Sequence, residues 1–242
     1  KILINKHIMK KHIYLLLILP FFTFNLINAQ NNALDFAGDN DYVNIPSFSL
    51  NGNTGLTIEA WVYTQSYNVL TIDNYISNIA GHDDASALLR IGDNAPGVLV
   101  SDRIPQFVIT TTNGNVKCNA TTQMSLNTWY HIAGTYDGSN LRIYVNGKLE
   151  NTVGKTGNIS AILTEINLGG SLVDRFLDGY LDEVRIWNDA RSQAEIRANM
   201  HQELSGNEAG LLAYYNSNAT SGTSLADNST NSYTGTLTNM VG

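Results

Sequence analysis

Leu141-Arg142-Ile143-Tyr144-Val145-Asn146-Gly147-Lys148-Leu149-Glu150 reads as two short strands joined by a two-residue turn. Asn-Gly between alternating residues is the strongest short hairpin signal, because a type I′ turn needs positive φ at both central positions. Just before it, Thr128-Trp129-Tyr130-His131-Ile132-Ala133-Gly134-Thr135-Tyr136 alternates with a period of two and ends at a second turn, Asp137-Gly138. The stretch from Trp129 to Glu150 is therefore expected to be a run of antiparallel strands.

The same pattern spreads outward. Thr57-Ile58-Glu59-Ala60-Trp61-Val62-Tyr63-Thr64 sets Ile58, Ala60 and Val62 on one face and Glu59, Trp61 and Tyr63 on the other, a strand substantially covered on both sides. Gln106 to Thr112 repeats the alternation, and shorter strands are expected at Leu34 to Phe36, Tyr42 to Ile45, Leu88 to Ile91, Val98 to Ser101, Ile166 to Leu168, Tyr180 to Trp187 and Gly210 to Tyr215. Many short strands with no helical period between them specify an all-β fold of two packed antiparallel sheets rather than a parallel α/β sheet. One short C-terminal helix is expected from the capping box Ser192-Gln193-Ala194-Glu195, with Ile196 and Met200 as its apolar stripe.

The totals suit this reading. A chain of 242 residues can bury one large sandwich core, and 43% hydrophobic against 14% charged residues is a globular balance. With 21 acidic and 14 basic residues the formal charge is -7, which argues against nucleic acid as a partner, since phosphates need a basic face. Cys118 is the single cysteine, so no intrachain disulfide exists, and a small buried apolar role is expected for it. Lys10 and Lys11 precede the apolar run Ile13 to Phe24 and then Asn28-Ala29-Gln30, the three regions of a secretory signal, with Met9 as the expected start and cleavage after Ala29. That run is short for a bilayer span, so the mature chain is expected to have no membrane span and to be secreted or held at the cell surface. The expected division is a leader and signal peptide over 1–29, a β domain over 30–205, and over 206–242 a last strand plus a linker or the truncated start of a further unit.

Five blocks carry a family resemblance: Ala33-Leu34-Asp35-Phe36-Ala37-Gly38-Asp39-Asn40-Asp41-Tyr42-Val43, Leu56 to Val62, Trp129 to Gly138, Tyr144-Val145-Asn146-Gly147, and Leu177-Asp178-Gly179-Tyr180-Leu181-Asp182-Glu183-Val184-Arg185-Ile186-Trp187. In order, over roughly Ala33 to Met200, they resemble the laminin-G-like jelly roll of the concanavalin A-like lectin/glucanase superfamily, in its secreted bacterial form. The resemblance implies a two-sheet jelly roll, often with a structural Ca2+, that serves as a non-catalytic module for an extracellular glycan or a surface protein within a longer multidomain chain. Gly210 to Leu237 is similar to the opening of another such unit.

On chemical grounds the metal candidates begin with Asp39, Asn40 and Asp41, short oxygen-bearing side chains in a tight turn after Gly38 that suit Ca2+. The resemblance adds Asp182 and Asp178 from across the sandwich. It also places an Asp in many relatives where Ala37 stands here, which removes one oxygen. Ligand contacts are expected from loop residues Tyr67, Asn74, Tyr75 and Arg103, whereas Trp61, Trp129 and Trp187 are expected in the core. Gly81-His82-Asp83-Asp84 reads as solvated turn chemistry. Two other functions stay open: a structural or adhesin repeat, and a divergent glycoside hydrolase. Hydrolysis by retention requires two carboxyl groups about 5 to 5.5 Å apart; Asp182 and Glu183, as strand neighbours, are expected on opposite faces, and Glu59 has no evident partner.

Overall fold

Alternating apolar residues build two antiparallel sheets that close face to face. The computed structural model describes residues 32–50, 52–67, 69–71, 74–82, 87–92, 103–160, 165–170, 175–218 and 220–240, with backbone alone at 69–71, 74–75, 165 and 220–221. The signal peptide, the strand expected at 98–101, and Asp83 and Asp84 lie outside the described residues.

The first strands in chain order are β1 (Leu34–Ala37), β2 (Tyr42–Pro46), β3 (Leu56–Ser66), β4 (Val69–Thr71), β5 (Asn74–Tyr75) and β6 (Ser77–Gly81). Then come β7 (Ala87–Ile91), β8 (Pro105–Thr111), β9 (Gly114–Asn119), β10 (Trp129–Tyr136), β11 (Asn140–Val145) and β12 (Lys148–Gly154). After β13 (Glu165–Leu168) and β14 (Asp178–Trp187) stands the helix α1 (Gln193–Asn199), followed by β15 (Leu211–Tyr215), β16 (Thr220–Ser221), β17 (Ser224–Leu225) and β18 (Gly235–Thr238). One sheet has the order β1-β14-β3-β10-β11-β12, with β15 also paired to β14. The other has the order β16-β17-β18-β2-β13-β6-β7-β8-β9.

The hairpin quoted first forms as read: Asn146 and Gly147 take φ of 49° and 69°, and β11 pairs with β12 antiparallel. Helix α1 also forms as read, with the Glu195 amide donating to Ser192 Oγ and the Ser192 amide donating back to the Glu195 carboxylate. Between the sheets, Ile58, Ala60 and Val62 of β3 meet a row from the opposite sheet that includes Val43, Leu168, Leu89, Phe107 and the buried Cys118. The sheets approach so closely that a Cβ on Gly134 would stand 2.3 Å from the Phe107 ring. Glycine is needed there for space.

Residues after Gly206 do more than end the chain, and here the expectation of a linker or separate unit gives way. β15 extends the seven-stranded sheet beside β14, and β18 pairs with β2 to widen the nine-stranded one. Asn31–Gly242 forms one compact unit. The Asn- and Ser-rich stretch that reads as linker is a clasp: Asp227 Oδ1 accepts from the amides of Tyr214 and Ser229, Asp227 Oδ2 accepts from that of Tyr233, and Asn231 donates to the carbonyls of Leu211 and Leu212. Its polar residues satisfy backbone groups that would otherwise be stranded.

A chain ending at Ser205 should therefore lose its cooperative thermal transition, because it sheds buried Ala213, Tyr214, Tyr215 and Leu225 and strips one neighbour from β2 and from half of β14. Differential scanning calorimetry of 31–205 against 31–242 checks this. Equal melting temperatures would mean that the last strands are accessories.

Candidate functional site

The register fixes what stands on the outer face of the seven-stranded sheet, away from the core. Paired residues in neighbouring strands share a face. One row is therefore Asp35, Tyr180, Tyr63 and Trp129, across β1, β14, β3 and β10. The next is Asp182, Trp61 and His131. A third holds Tyr214, Arg185, Glu59, Ala133 and Tyr144.

The third row is roofed. Ile196 of α1 packs on Ala133 and Tyr144, and Arg185, fully buried, donates to the Asn199 carbonyl at 3.1 Å and the Gln202 carbonyl at 2.6 Å. Glu59 is 1% exposed, accepts from Trp187 Nε1 at 3.0 Å, and lies 3.7 Å from Arg185 and 3.5 Å from His131. Burial pushes its carboxyl above the usual range while the Arg185 charge opposes this, and burial drives His131 down to about 3, so the imidazole is neutral. Glu59 thus has partners that alternation alone did not reveal.

Asp182 and Glu183 do not point to opposite faces. The β3–β14 register slips between Asp182 and Arg185, and Glu183 has φ of 52°, a bulge that re-aims the side chain. The Glu183 carboxylate pairs with Arg185 and accepts from the Tyr214 hydroxyl, both outer-face residues. Asp182 Oδ1 accepts from the Glu183 amide, and burial, with Glu183 and Glu203 nearby, lifts Asp182 to about 7.

The first row is open. Trp129 is 39% exposed, contrary to its expected place in the core, whereas Trp187 is fully buried. The Tyr63 ring centroid lies 5.4 Å from Trp129 and 5.5 Å from Tyr180, with Trp129 and Tyr180 6.4 Å apart. Polar groups edge the rings: Gln65 donates to the Tyr180 hydroxyl at 3.2 Å, and the Tyr63 hydroxyl donates to Asn127 at 3.4 Å. Trp61 is half-buried in the second row, where its Nε1 donates to the Met200 carbonyl at 2.7 Å and its ring faces His201 at 5.3 Å. An exposed aromatic cluster with hydroxyl and amide rims can stack on the C–H face of a sugar and bond its hydroxyls.

Of the residues expected to hold a metal, Asp39, Asn40 and Asp41 share the turn between β1 and β2, and Asp178 at the head of β14 pairs with Ala37 beside it. Asp182 lies four residues farther along β14, about 13 Å away at the usual strand rise. It is not brought to the turn. A hydrogen bond to Asp41 holds Asp39 below the usual range, while burial and neighbouring Asp39 raise Asp41, whose Oδ2 accepts from the Ala37 amide at 2.7 Å. Asp178 accepts from Ser66 Oγ. No group of three or more His, Cys, Asp or Glu gathers for a metal among the described residues. The turn therefore fits calcium in part, with two facing carboxyls and no acid from across the sandwich.

The expected ligand contacts separate as well. Tyr67 and Arg103 come together, the guanidinium 4.4 Å above the ring and the Tyr67 hydroxyl donating to the Met124 carbonyl, with burial lifting that phenol to about 12. Asn74 and Tyr75 form β5, and their side chains lie outside the described residues.

Titration of Asp182 gives a test of the bulge. Its folded pKa of about 7 exceeds the unfolded value of 3.8, so the folded state holds an extra proton in that window and stability falls as pH rises through it. His131 acts oppositely, with stability lost as pH falls from 6.5 toward 3. Asp182→Asn should be more stable than the parent by roughly 1–2 kcal/mol at pH 8, after discounting for partial solvent screening, and equal to it at pH 4. Denaturant melts at the two pH values check this; a constant difference would contradict it.

The Laminin_G_3 family model of the concanavalin A-like lectin/glucanases superfamily matches residues 37–197. A protein from Bacteroides ovatus, whose description gives carbohydrate binding as its suggested role, has a solved structure that aligns with a TM-score of 0.71 at 24% identity, covering 86% of this chain and 58% of that one. A heptameric SAP-like pentraxin from Limulus polyphemus aligns with a TM-score of 0.52 at 14% identity, covering 71% of this chain and 82% of that one. Human pappalysin-1 is 38% identical over 77 residues, which are 30% of this chain and 5% of that protein. The chain thus spans little over half of the Bacteroides chain and a small part of pappalysin-1. No helix among the described residues is long and apolar enough to cross a membrane. The family match over two sheets with this register places the chain in the laminin-G-like branch of the concanavalin A-like lectin/glucanase superfamily.

Proposed function

We propose that this domain is a secreted, non-catalytic recognition module that binds carbohydrate on the outer face of its seven-stranded sheet. The observation that carries the reading is the Tyr63, Trp129 and Tyr180 cluster, where a tryptophan 39% exposed is held by neighbouring rings rather than by the core. Large exposed aromatics of this kind mark binding surfaces. The suggested role of the Bacteroides ovatus protein points the same way. Nearby carboxylates Glu59 and Glu183 are engaged by Trp187, Arg185 and Tyr214, which favours support of the sheet over hydrolysis.

Trp129→Ala should weaken binding to a neutral polysaccharide by tenfold or more, about 1.4 kcal/mol, with little change in melting temperature. Affinity electrophoresis on gels cast with soluble glucan, xylan and mannan reads the retardation. Unchanged retardation of a variant that folds would reject this surface.

A structural calcium ion held by Asp39, Asn40, Asp41 and Asp178 is a separate part of the proposal, supported by the neighbouring Asp39 and Asp41 carboxyls, whose mutual repulsion a cation would relieve. Excess Ca2+ over chelator should raise the melting temperature of the parent and leave that of Asp39→Ala unmoved. A parent that melts identically in Ca2+ and chelator would remove the ion from the account.

A further inference from the structure

The open row has a shape as well as a chemistry. It crosses four strands, from Asp35 on β1 through Tyr180 and Tyr63 to Trp129 on β10, a width of about 14 Å at the usual strand spacing. Both of its ends are unwalled by the sheet. β1 is the edge strand beyond Asp35, and β11 stops at Val145, opposite Ile132, so Trp129 has no sheet neighbour on its far side. One long side is a step, built where Trp61 is fastened to the Met200 carbonyl and covered by His201. Among the described strands the row is thus a ledge open at both ends, with a wall along one side.

Its size decides between occupants. A specific protein interface takes about 800 Å² from each partner, whereas a ledge about 14 Å long and one side chain deep offers on the order of 100 Å². The row by itself matches a narrow linear ligand, whereas a folded protein would have to reach well beyond it. The three rings gather as one platform, with centroids 5.4, 5.5 and 6.4 Å apart, and no described strand closes either flank of it.

We infer that the ledge takes an interior stretch of a linear glycan, about three sugar rings long, running across the strands from Asp35 to Trp129. This rests on the carbohydrate-binding reading and adds what part of the glycan is held. Trp129 and Tyr180 supply stacking surfaces, with Asp35 accepting from hydroxyls at one end. The Tyr180 hydroxyl, which accepts from Gln65, keeps its own proton to donate. Chain ends play no part, because among the described residues no strand caps the ligand at either flank.

The test uses the full 31–242 chain and three oligosaccharide ladders, β-1,4-linked gluco-, xylo- and manno-, from monosaccharide to hexasaccharide, with the corresponding soluble polymers. In whichever series binds through Trp129, isothermal titration should show affinity rising at least a hundredfold from monosaccharide to trisaccharide, then levelling per site. Polymer with oxidised reducing ends should bind as well as untreated polymer. Asp35→Ala should weaken the trisaccharide and leave the disaccharide nearly unaffected. Trp129-dependent binding that is independent of length, or that is lost when the ends are modified, would overturn the interior-segment inference alone. Absence of Trp129-dependent binding to any ladder or polymer would overturn the carbohydrate reading and this one with it.

Discussion

Arg185 is fully buried, and its guanidinium holds the carbonyls of Asn199 and Gln202 while pairing with Glu183 and facing Glu59. A charge taken out of water is tolerated only when paired and hydrogen-bonded, so this side chain dictates where the chain after α1 must lie. Together with the Trp61 bond to the Met200 carbonyl, it fixes the edge of the roof on the seven-stranded sheet. Rows beneath the roof are structural. The row beyond it faces solvent.

That boundary gives one strand two uses. The inner residues of β3, Ile58, Ala60 and Val62, close the sandwich, while its outer residues run from buried Glu59 through half-buried Trp61 to Tyr63 in the open row. A period of two separates the faces, and the position of the roof separates support from recognition along the outer one. The bulge at Glu183 belongs to the same design, since it turns a second carboxylate toward Arg185 and lets β14 accept β15.

Much of this was legible in the residues. Asn146-Gly147 and Ser192 to Glu195 behave as local chemistry dictates, because turn dihedrals and helix caps depend on a few adjacent atoms. The face shared by Glu59, Trp61 and Tyr63 also follows from alternation. Coverage of that face does not, because it depends on where α1 ends and where β11 stops, and for this reason Trp129 read as core. The bulge was hidden because Asp182-Glu183 carries no glycine to announce positive φ. The tail read as linker because Asn228, Ser229 and Asn231 are turn formers wherever they stand, and only the β15 backbone beside them gives them a fixed task. The metal candidates separate because position along a strand, and not kinship of acidic residues, sets distance: Asp178 sits at the turn and Asp182 four residues beyond it.

The most direct measurement is a crystal structure of residues 31–242 soaked with the tightest-binding oligosaccharide. The account predicts sugar density lying over Tyr63, Trp129 and Tyr180, with its long axis across the strands and both ends in solvent. Density seated instead at the Asp39–Asp41 turn, with the aromatic row bare, would contradict it.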